Sequence, residues 1–240
     1  MNRWLVLALL LATTPLHAAA PPEPPLFSAH YAVHANGLKI GEMKRTLQAV
    51  GPNRYTLVTD VYTTGIVALF KADRFRERSE WLQDERGYHP VEYFSRYTGR
   101  SKDVVERLSF DWTRGLVVSL RDGKEKKVPV SAGVLDKLMY QAVLRDDLAR
   151  GETVLHYQVA DRGKVEDYEF QVLGREKVVT PMGTVNAVKV RKGTTTLWCA
   201  VEWDYLPVKL EQHEDTHTVS SYILSLQRGD LNHAAHAGSR

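Results

Sequence analysis

The sequence predicts a mainly β protein: a large curved antiparallel sheet, or a barrel-like shell, with one amphipathic helix at about residues 135–150. Most of the chain beyond residue 25 consists of short runs in which apolar and polar residues alternate, the period of a half-buried strand. Turn signals such as Asn36-Gly37 separate these runs, as they do in antiparallel hairpins. Strands do not alternate with helices, and this pattern favours an antiparallel sheet over a parallel one.

The N-terminal residues 1–18 have the features of a secretory signal peptide. Arg3 supplies a positive charge, and the nine residues from Trp4 to Ala12 form an apolar run. This run is too short for a helix that spans a membrane, which needs roughly 20 residues. Small residues around Ala18 provide a cleavage site. We therefore expect export to the periplasm and a mature protein without a transmembrane span.

The mature chain is expected to contain one domain. Residues 19–25 form a Pro-rich leader, residues 26–228 a single β-rich domain, and residues 229–240 a small, polar tail that we expect to be disordered. Cys199 is the one cysteine of the chain, so no internal disulfide can form. The core alone must therefore hold the fold together, which a domain of this length can do.

The alternating runs predict eleven or twelve strands. The first run begins at Phe27, and the Asn36-Gly37 turn connects it to its return strand. Residues 64–72, TGIVALFKA, interrupt the alternation and are typical of a short helix or turn packed on the sheet. Further strands extend to Leu120, and strands resume at Glu152 after the predicted helix.

Residues 136–150, DKLMYQAVLRDDLAR, carry the pattern of the amphipathic helix. Apolar residues recur with helical spacing at Leu135, Leu138, Met139, Ala142 and Val143. Gly151 follows at the position where a left-handed residue commonly ends a helix. We expect this helix to cover an opening or an edge of the sheet.

Three longer stretches resemble one protein family. They are the helical stretch VLDKLMYQAVLRDDLARG, the strand-turn-strand VVTPMGTVNAVKVRK, and the Trp-containing LWCAVEWDYLPVKLEQ. In this order they resemble the exported bacterial proteins of domain of unknown function 3108 (DUF3108), over roughly Phe27 to Gln227. The resemblance implies an exported, β-rich domain and supplies no catalytic residues.

The stretch from His213 to His217 reads H-E-x-x-H, the zinc signature of many metalloproteases. That signature needs a helix, because only a helix brings two histidines four residues apart onto one face beside the intervening Glu214. The flanking residues are strand-like, and neither a later glutamate nor a third histidine of the longer signature follows. We interpret the stretch as a polar hairpin turn. The alternative is a metal-dependent hydrolase that uses His213, Glu214 and His217.

Arginines recur at every second position in Arg74, Arg76 and Arg78, so they share one face of a strand. Arg96 lies in the next predicted strand among aromatic residues. One interpretation is a solvated face that pairs with Glu80 and Glu92 across strands. The other is a binding site for an anion or a lipid headgroup at the mouth of an apolar cavity.

The charge balance and the missing sequence motifs argue against several functional classes. Lys and Arg number 32 against 29 Asp and Glu, which is too balanced for a dedicated nucleic-acid-binding protein. Nucleophile-elbow and phosphate-binding-loop motifs are missing from the sequence, and no cofactor is indicated. We therefore expect a non-enzymatic periplasmic envelope protein. It would present a curved sheet or cavity to an envelope lipid or other amphiphile, or to a protein partner.

Overall fold

The computed structural model describes residues 23–70, 72–99 and 103–229, and these residues form one open sheet of fifteen strands and two α-helices. The strands are β1 (Phe27–Ala35), β2 (Leu38–Gly51), β3 (Arg54–Thr63), β4 (Arg74–Asp84), β5 (Gly87–Thr98), β6 (Asp103–Asp111), β7 (Leu116–Arg121), β8 (Lys124–Pro129), β9 (Leu135–Asp136), β10 (Val154–Asp161), β11 (Lys164–Thr180), β12 (Gly183–Lys192), β13 (Thr195–Ala200), β14 (Leu206–His213) and β15 (Thr218–Arg228). The helices are α1 (Gly65–Phe70) and α2 (Tyr140–Ala149), and a short 3₁₀ turn covers Val201–Trp203. The predicted signal peptide and nearly all of the predicted tail lie outside the described residues.

The sheet consists of two meandering arms that meet in its middle. The strand order is β8-β7-β6-β5-β4-β3-β2-β1-β15-β14-β13-β12-β11-β10-β9, so β1 and β15 join the two arms. All neighbouring strands are antiparallel except β9 and β10, which are parallel. The predicted fold class, a large curved antiparallel sheet, is confirmed. We call β1–β8 the first arm and β9–β15 the second arm.

Local turn chemistry accounts for the meander. At the β1–β2 turn, Asn36 and Gly37 both have positive φ, 48° and 81°. This is the type I′ geometry whose twist matches that of the flanking strands, and Asn-Gly is its preferred sequence. The hairpin predicted at this dipeptide is confirmed.

Two of the fifteen strands differ most from the sequence-based expectation of eleven or twelve. Strand β8, Lys124–Pro129, has four charged residues and lacks an apolar face. Lysines on an exposed edge strand prevent further pairing, and they also remove the alternation from which strands are predicted. Strand β9, Leu135–Asp136, lies within the segment predicted to be helical.

The predicted helix at 135–150 was placed too early, because α2 begins only at Tyr140. Leu135 and Asp136 instead pair with Val159 and Ala160 of β10. A carboxylate oxygen of Asp136 then accepts hydrogen bonds from the backbone N–H groups of Leu138 and Met139, both 2.8 Å long. This turn starts the helix after the strand. The second helix, α1, lies where a short helix or turn was predicted.

The sheet rolls until the edge formed by β9 lies against the inner face of the first arm. The Ser79 hydroxyl of β4 donates a 2.5 Å hydrogen bond to the Asp136 carboxylate of β9. Lys137, which follows β9, forms a 3.5 Å ion pair with Glu106 of β6. Strand β9 thus packs on strands β4 to β6 and does not pair with β8, so the shell overlaps itself without closing.

Helix α2 lies inside this roll and packs on both arms. Its Tyr140 ring contacts Tyr157 of β10 and Phe170 of β11, and the Arg145 guanidinium lies over the Phe27 ring of β1. Leu144 is completely buried. The helix is therefore a central core element more than a cover over an edge. No helix in the described part of the chain is long and apolar enough to cross a membrane.

Candidate functional site

A row of six polar residues runs across the inner face of the first arm. Each residue is the direct cross-strand partner of the next, from β2 to β7. We call this set the inner polar row: Arg45, Thr59, Glu77, Ser95, Glu106 and Arg121. Four of its members are buried to 94% or more, although polar groups in a sheet interior must be paired or solvated to be tolerated.

The inner polar row faces the interior of the roll because side chains alternate between the two faces along each strand. On β4, Glu77 shares its face with Phe75 and with Trp81, which is fully buried. On β6, Glu106 shares its face with fully buried Leu108. The polar residues therefore occupy inward positions that the surrounding pattern assigns to apolar side chains.

Partners from the overlapping β9–β10 edge satisfy Glu106 of the row. Glu106 accepts a 2.9 Å hydrogen bond from the backbone N–H of Arg162 and pairs with Lys137 at 3.5 Å. Lys137 also donates a 3.0 Å hydrogen bond to Asp161. These contacts attach the edge of the second arm to the inner face of the first arm. Glu77 is instead satisfied within the first arm, where it accepts a 2.6 Å hydrogen bond from the Tyr93 hydroxyl of β5.

Burial also shifts the protonation of these carboxyl groups. It raises the pKa of Asp136 to about 6, although hydrogen bonds from Ser79 and two backbone N–H groups oppose the shift. Burial likewise raises the pKa of Glu77. The interior of the first arm therefore favours carboxyl groups that are protonated more readily than in water.

A depression of about 400 Å³ opens beside the inner polar row, and we call it the charged compartment. Ser95, Glu106 and Arg121 of the row line one side of it. Lys137 and Arg162 line another side, and the remaining lining residues are Phe75, Tyr97 and Val104. Three cationic side chains thus face this space together with one carboxylate.

A second depression of about 170 Å³ adjoins the first, and we call it the apolar compartment. Its wall consists of residues from β1 to β5 and the loops beside them: Val33, Ile40, Gly41, Val61, Tyr62, Thr63, Asp73, Phe75 and Tyr97. Gly41 is needed here, because a Cβ atom would lie 2.4 Å from the backbone oxygen of Tyr62.

Phe75 and Tyr97 line both compartments. The two residues are direct cross-strand partners on β4 and β5, and Val61 of β3 is the partner of Phe75. They form the inward-facing row next to the inner polar row, nearer the end of the strands. The two compartments therefore make one two-part pocket, apolar at one end and charged at the other.

The arginines predicted as ligand-binding residues lie on the opposite, outer face of β4 and β5. Arg74, Arg76, Arg78 and Arg96 line a shallow outer depression of about 400 Å³ together with Phe94 and Thr98. We call this the outer arginine surface. Since Phe75 lies between Arg74 and Arg76 and faces inward, these arginines are not at the mouth of the two-part pocket.

Three of the four outer arginines are already paired with carboxylates. Arg74 donates a 2.8 Å hydrogen bond to Asp60. Arg78 pairs with Glu80 at 2.8 Å and with Glu92 at 3.4 Å, the two carboxylates that the solvated-face interpretation named. Arg96 contacts Asp103 at 3.3 Å.

Arg76 differs from the other three outer arginines. It forms no ion pair with any residue in the described ranges, and its direct partner on β5 is Arg96.

A third depression, of about 610 Å³, lies at the opposite ends of β3 and β4. Charged and polar turn residues dominate its lining: Glu23, Asn53, Tyr55, Gln83, Asp84, Glu85 and Arg86. Its carboxylates outnumber its one arginine, and it lacks a compartment with apolar walls. The two-part pocket is therefore the better candidate site.

The H-E-x-x-H stretch forms the hairpin between β14 and β15, as interpreted from the sequence. Strand β14 ends at His213 and β15 begins at Thr218, with a 2.8 Å hydrogen bond from the Glu214 N–H to the His217 carbonyl. The two histidine side chains bond to neighbouring threonine hydroxyls, and all of these positions are at or near the surface. The helix that the zinc signature requires is not formed here.

The side chains that could bind a metal ion are dispersed over the described part of the chain. Within residues 23–70, 72–99 and 103–229, no group of three or more His, Cys, Asp or Glu side chains is arranged to hold a metal ion. Cys199 is fully buried in β13, and burial raises the pKa of its thiol to about 12. A neutral, inaccessible thiol is a core residue and a poor nucleophile.

Sequence reasoning did not identify the inner polar row. The available signal was a charged residue in the inward phase of an otherwise apolar strand, as Glu77 is between Phe75 and Trp81 on β4. We overlooked that signal because we assigned the candidate site to the arginines on the opposite face of β4. Lys137 and Arg162 join the site only through the overlap of the two arms.

The chain was compared with known proteins. The family model for the protein of unknown function DUF3108 matches residues 28–222. The solved structure of a β-barrel-like protein of domain of unknown function DUF1849 from Brucella abortus is similar in fold, with a TM-score of 0.57 at 10% sequence identity. That similarity covers 86% of this chain and 99% of the other chain.

No curated protein matches the sequence at a significant level. The similarity to the Brucella protein concerns the fold alone, because the sequence identity is only 10%. The family match spans most of the strands that build the two-part pocket, including β2 to β6. The chain therefore belongs to the DUF3108 family.

Proposed function

We propose that this protein is a non-enzymatic periplasmic envelope protein that binds an anionic amphiphile in the two-part pocket. The observation that carries the proposal is the pair Phe75 and Tyr97, which line the apolar and the charged compartment at once. A single molecule with an apolar group and a charged group at a short distance would match both compartments.

The apolar compartment determines the size of the apolar group. Its volume of about 170 Å³ is close to the roughly 150 Å³ of an engineered apolar cavity that holds benzene. It would accept a ring or a short segment of an acyl chain, with the remainder extending toward solvent past Tyr62 and Thr63. Burial of apolar surface would supply most of the affinity, at roughly 25 cal/mol per Å².

The charged compartment determines the sign of the headgroup. Arg121, Lys137 and Arg162 outnumber the one carboxylate, Glu106. Lys137 is already held by two carboxylates, and Arg162 contacts Asp161 at 3.7 Å. Arg121 has only a 4.0 Å contact with the neighbouring Asp122. Arg121 is therefore the cation most available to a carboxylate, sulfonate or phosphate group.

A binding role accounts for the state of the nearby carboxyl groups better than a catalytic one. Glu106 accepts a backbone N–H and pairs with Lys137, and Asp136 is fully buried with three hydrogen-bond donors. Each group already has partners from the protein itself. Such groups stabilise the overlap of the arms and are not free to exchange protons with a ligand.

The periplasmic location rests on residues 1–18 alone. N-terminal sequencing of the protein recovered from the periplasmic fraction tests it. The expected mature chain begins at Ala19. Recovery of the protein with Met1 retained, or only from the cytoplasm, would contradict export.

The outer arginine surface is the second part of the proposal, as a weaker contact for anionic headgroups. Arg76 carries it, because it forms no ion pair with a described residue and lies directly across from Arg96, while Asp60, its partner on β3, is already bound to Arg74. We expect the Arg76→Ala protein to bind vesicles of anionic lipid less well than wild type, with vesicles of zwitterionic lipid as the control. Equal binding of both proteins to anionic vesicles would remove this surface from the proposal.

Filling the apolar compartment tests the main proposal. We expect Val61→Trp to abolish copurification of small amphiphiles with protein isolated from the periplasm, measured by native mass spectrometry and solvent extraction. Val154→Trp is the matched control, because Val154 is 83% exposed and lies on β10 away from the pocket. A wild-type protein that carries no small molecule, or equal loading of both variants, would contradict the proposal.

Replacing Arg121 tests whether this residue binds the anionic headgroup. The probe is anilinonaphthalene sulfonate, an anionic amphiphile whose fluorescence reports binding. Since a hydrogen bond to a charged group contributes about 1.5–3 kcal/mol, we expect Arg121→Gln to weaken probe binding by roughly 10- to 100-fold. Arg114→Gln, at a 78% exposed turn position, should leave the affinity unchanged. Equal affinities of the two variants would argue against Arg121 as the headgroup ligand.

A further inference from the structure

Two buried arginines line a small, partly open space between the first arm and helix α2. Arg45 comes from β2 and Arg145 from α2, and both are only 6% exposed. They line a cavity of about 10 Å³ together with Phe27, Leu47, Leu57, Gln141, Ala142, Leu206 and Pro207. None of the other lining residues carries a charge.

Arg45 lacks a partner in the described part of the chain. Its guanidinium forms neither a hydrogen bond nor an ion pair with a residue of residues 23–70, 72–99 or 103–229, and its Nε atom is completely inaccessible to solvent. An unpaired buried cation costs several kcal/mol relative to one in water. A charge in this position therefore favours binding of a counter-charge directly at the guanidinium.

Arg145 is only partly satisfied. Its Nε donates a 2.9 Å hydrogen bond to the backbone carbonyl of Asp204, and its guanidinium lies 5.1 Å from the centre of the Phe27 ring. The Asp204 carboxylate contacts Arg228 at 3.6 Å. Burial lowers the pKa of Arg145 to about 10, Asp204 and Tyr31 oppose that shift, and the positive charge of Arg45 adds a smaller lowering. At neutral pH Arg145 therefore remains charged.

Two titratable groups near the arginines are held neutral by burial. Burial raises the pKa of Tyr31 to about 12, and the Tyr31 hydroxyl donates a 2.9 Å hydrogen bond to the Pro207 carbonyl. Burial also raises the pKa of Cys199 to about 12. Glu77 lies two strands from Arg45 in the inner polar row and accepts a hydrogen bond from Tyr93, and the charge of Arg45 partly opposes the rise of the Glu77 pKa on burial.

We propose that a single monoatomic anion, chloride, binds between Arg45 and Arg145. The space admits little more than one water-sized sphere, so it favours a monoatomic anion over larger polyatomic anions such as sulfate or gluconate. Chloride would neutralise one of the two charges and accept hydrogen bonds from both guanidinium groups. It would thereby bridge strand β2 to helix α2 in the centre of the roll.

This site is independent of the proposed amphiphile pocket. None of its lining residues lines either compartment of the two-part pocket. Loss of chloride binding would leave the amphiphile proposal intact, and absence of an amphiphile would leave the chloride site intact.

Thermal unfolding at constant ionic strength tests the site in solution. When sodium chloride replaces sodium gluconate, we expect the Tm of the full mature protein to rise. At a chloride concentration 100 times its Kd, the unfolding equilibrium shifts about 100-fold toward the folded state, which raises the Tm by about 5–10 °C for a chain of this size. Arg45→Met should lose this response. Arg175→Met, at an exposed arginine of β11 outside the proposed binding sites, should keep it.

Bromide provides a direct measurement that does not depend on the stability of a variant. Crystals of the wild-type protein grown in sodium bromide should show an anomalous scattering peak between the Arg45 and Arg145 guanidinium groups. A featureless map at this position, or a water molecule there in the presence of bromide, would overturn the proposal. A Tm response to chloride that Arg45→Met and Arg175→Met share with wild type would overturn it as well.

Discussion

Two rows of polar side chains cross the same strands of the first arm on opposite faces. On the outer arginine surface, the arginines are exposed and three of the four bind nearby carboxylates. On the inner polar row, charged residues such as Arg45 and Glu106 are almost completely buried. Both rows arise from the alternation of β4 and its neighbours, so residue type alone does not distinguish them.

The difference between the rows is one of solvation. An exposed ion pair contributes about 0–1 kcal/mol, because water already stabilises both of its charges. A buried charge has lost that solvation, and removing its partner costs about 3–5 kcal/mol. The inner row therefore controls how the arms overlap, whereas the outer row has little influence on the fold.

The largest expected effect on stability is the difference between removing a buried carboxylate on the inner face and removing a more exposed one on the outer face. Glu106, at 3% exposure, binds Lys137 and the Arg162 backbone, whereas Glu92 binds Arg78 and Arg107 near the surface. We expect Glu106→Ala to lower the free energy of unfolding by about 3 kcal/mol or more, and Glu92→Ala by less than about 1 kcal/mol. Urea denaturation measures both. Equal decreases in the free energy of unfolding would show that burial does not make the inner carboxylate more important for stability than the outer one.

The pH dependence of stability gives the next largest effect. The unfolded carboxyl group of Asp136 has its ordinary pKa near 3.9, and burial raises the folded pKa to about 6. The folded state therefore holds this proton more tightly, and the stability that the proton contributes is present below about pH 4 and lost as pH rises through about 6.

Asp136→Asn removes that titration and keeps the shape of the side chain. We expect the free energy of unfolding of the variant, relative to wild type, to increase by about 2 kcal/mol between pH 4 and pH 7.5. Denaturant unfolding at a series of pH values measures this difference. Asp167→Asn, at 64% side-chain exposure, is the control and should show much less change. A constant difference between Asp136→Asn and wild type would refute a raised pKa at this position.

The smallest effect is expected at the outer arginine without a partner. Arg76→Ala should change the free energy of unfolding by no more than about 0.5 kcal/mol in either direction, as for most surface substitutions. The same denaturation experiment measures it. A loss above about 1 kcal/mol would mean that Arg76 has a structural partner and is not available to a ligand.

Local sequence patterns predicted much of the fold. Period-two alternation and the Asn36-Gly37 turn identified the antiparallel sheet and its first hairpin, and the strand-like flanks of His213 and His217 identified the β14–β15 hairpin correctly. These features depend on residues close together in the chain. Backbone dihedral preferences and side-chain alternation act over that range, so the sequence displays them directly.

The start of α2 and the inner polar row depend on contacts between distant residues. Asp136 belongs to β9 because it pairs with β10 and accepts a hydrogen bond from Ser79, 57 residues away. Its neighbours have helical spacing, so a local pattern assigns it to the helix. In the same way, Glu106 meets Lys137 only because the edge of the second arm lies on the inner face of the first.

The sequence by itself determined the class of fold, the membership of the chain in the DUF3108 family, and the alternation that sends Arg74, Arg76 and Arg78 to one face. Only the tertiary structure decided which face is inside and which buried charges meet there. The physical reason is that alternation divides the residues of a strand between two faces but does not specify which face is buried. The roll of the sheet then removes water from one face. That loss of solvation makes the pairing of its polar residues important for stability.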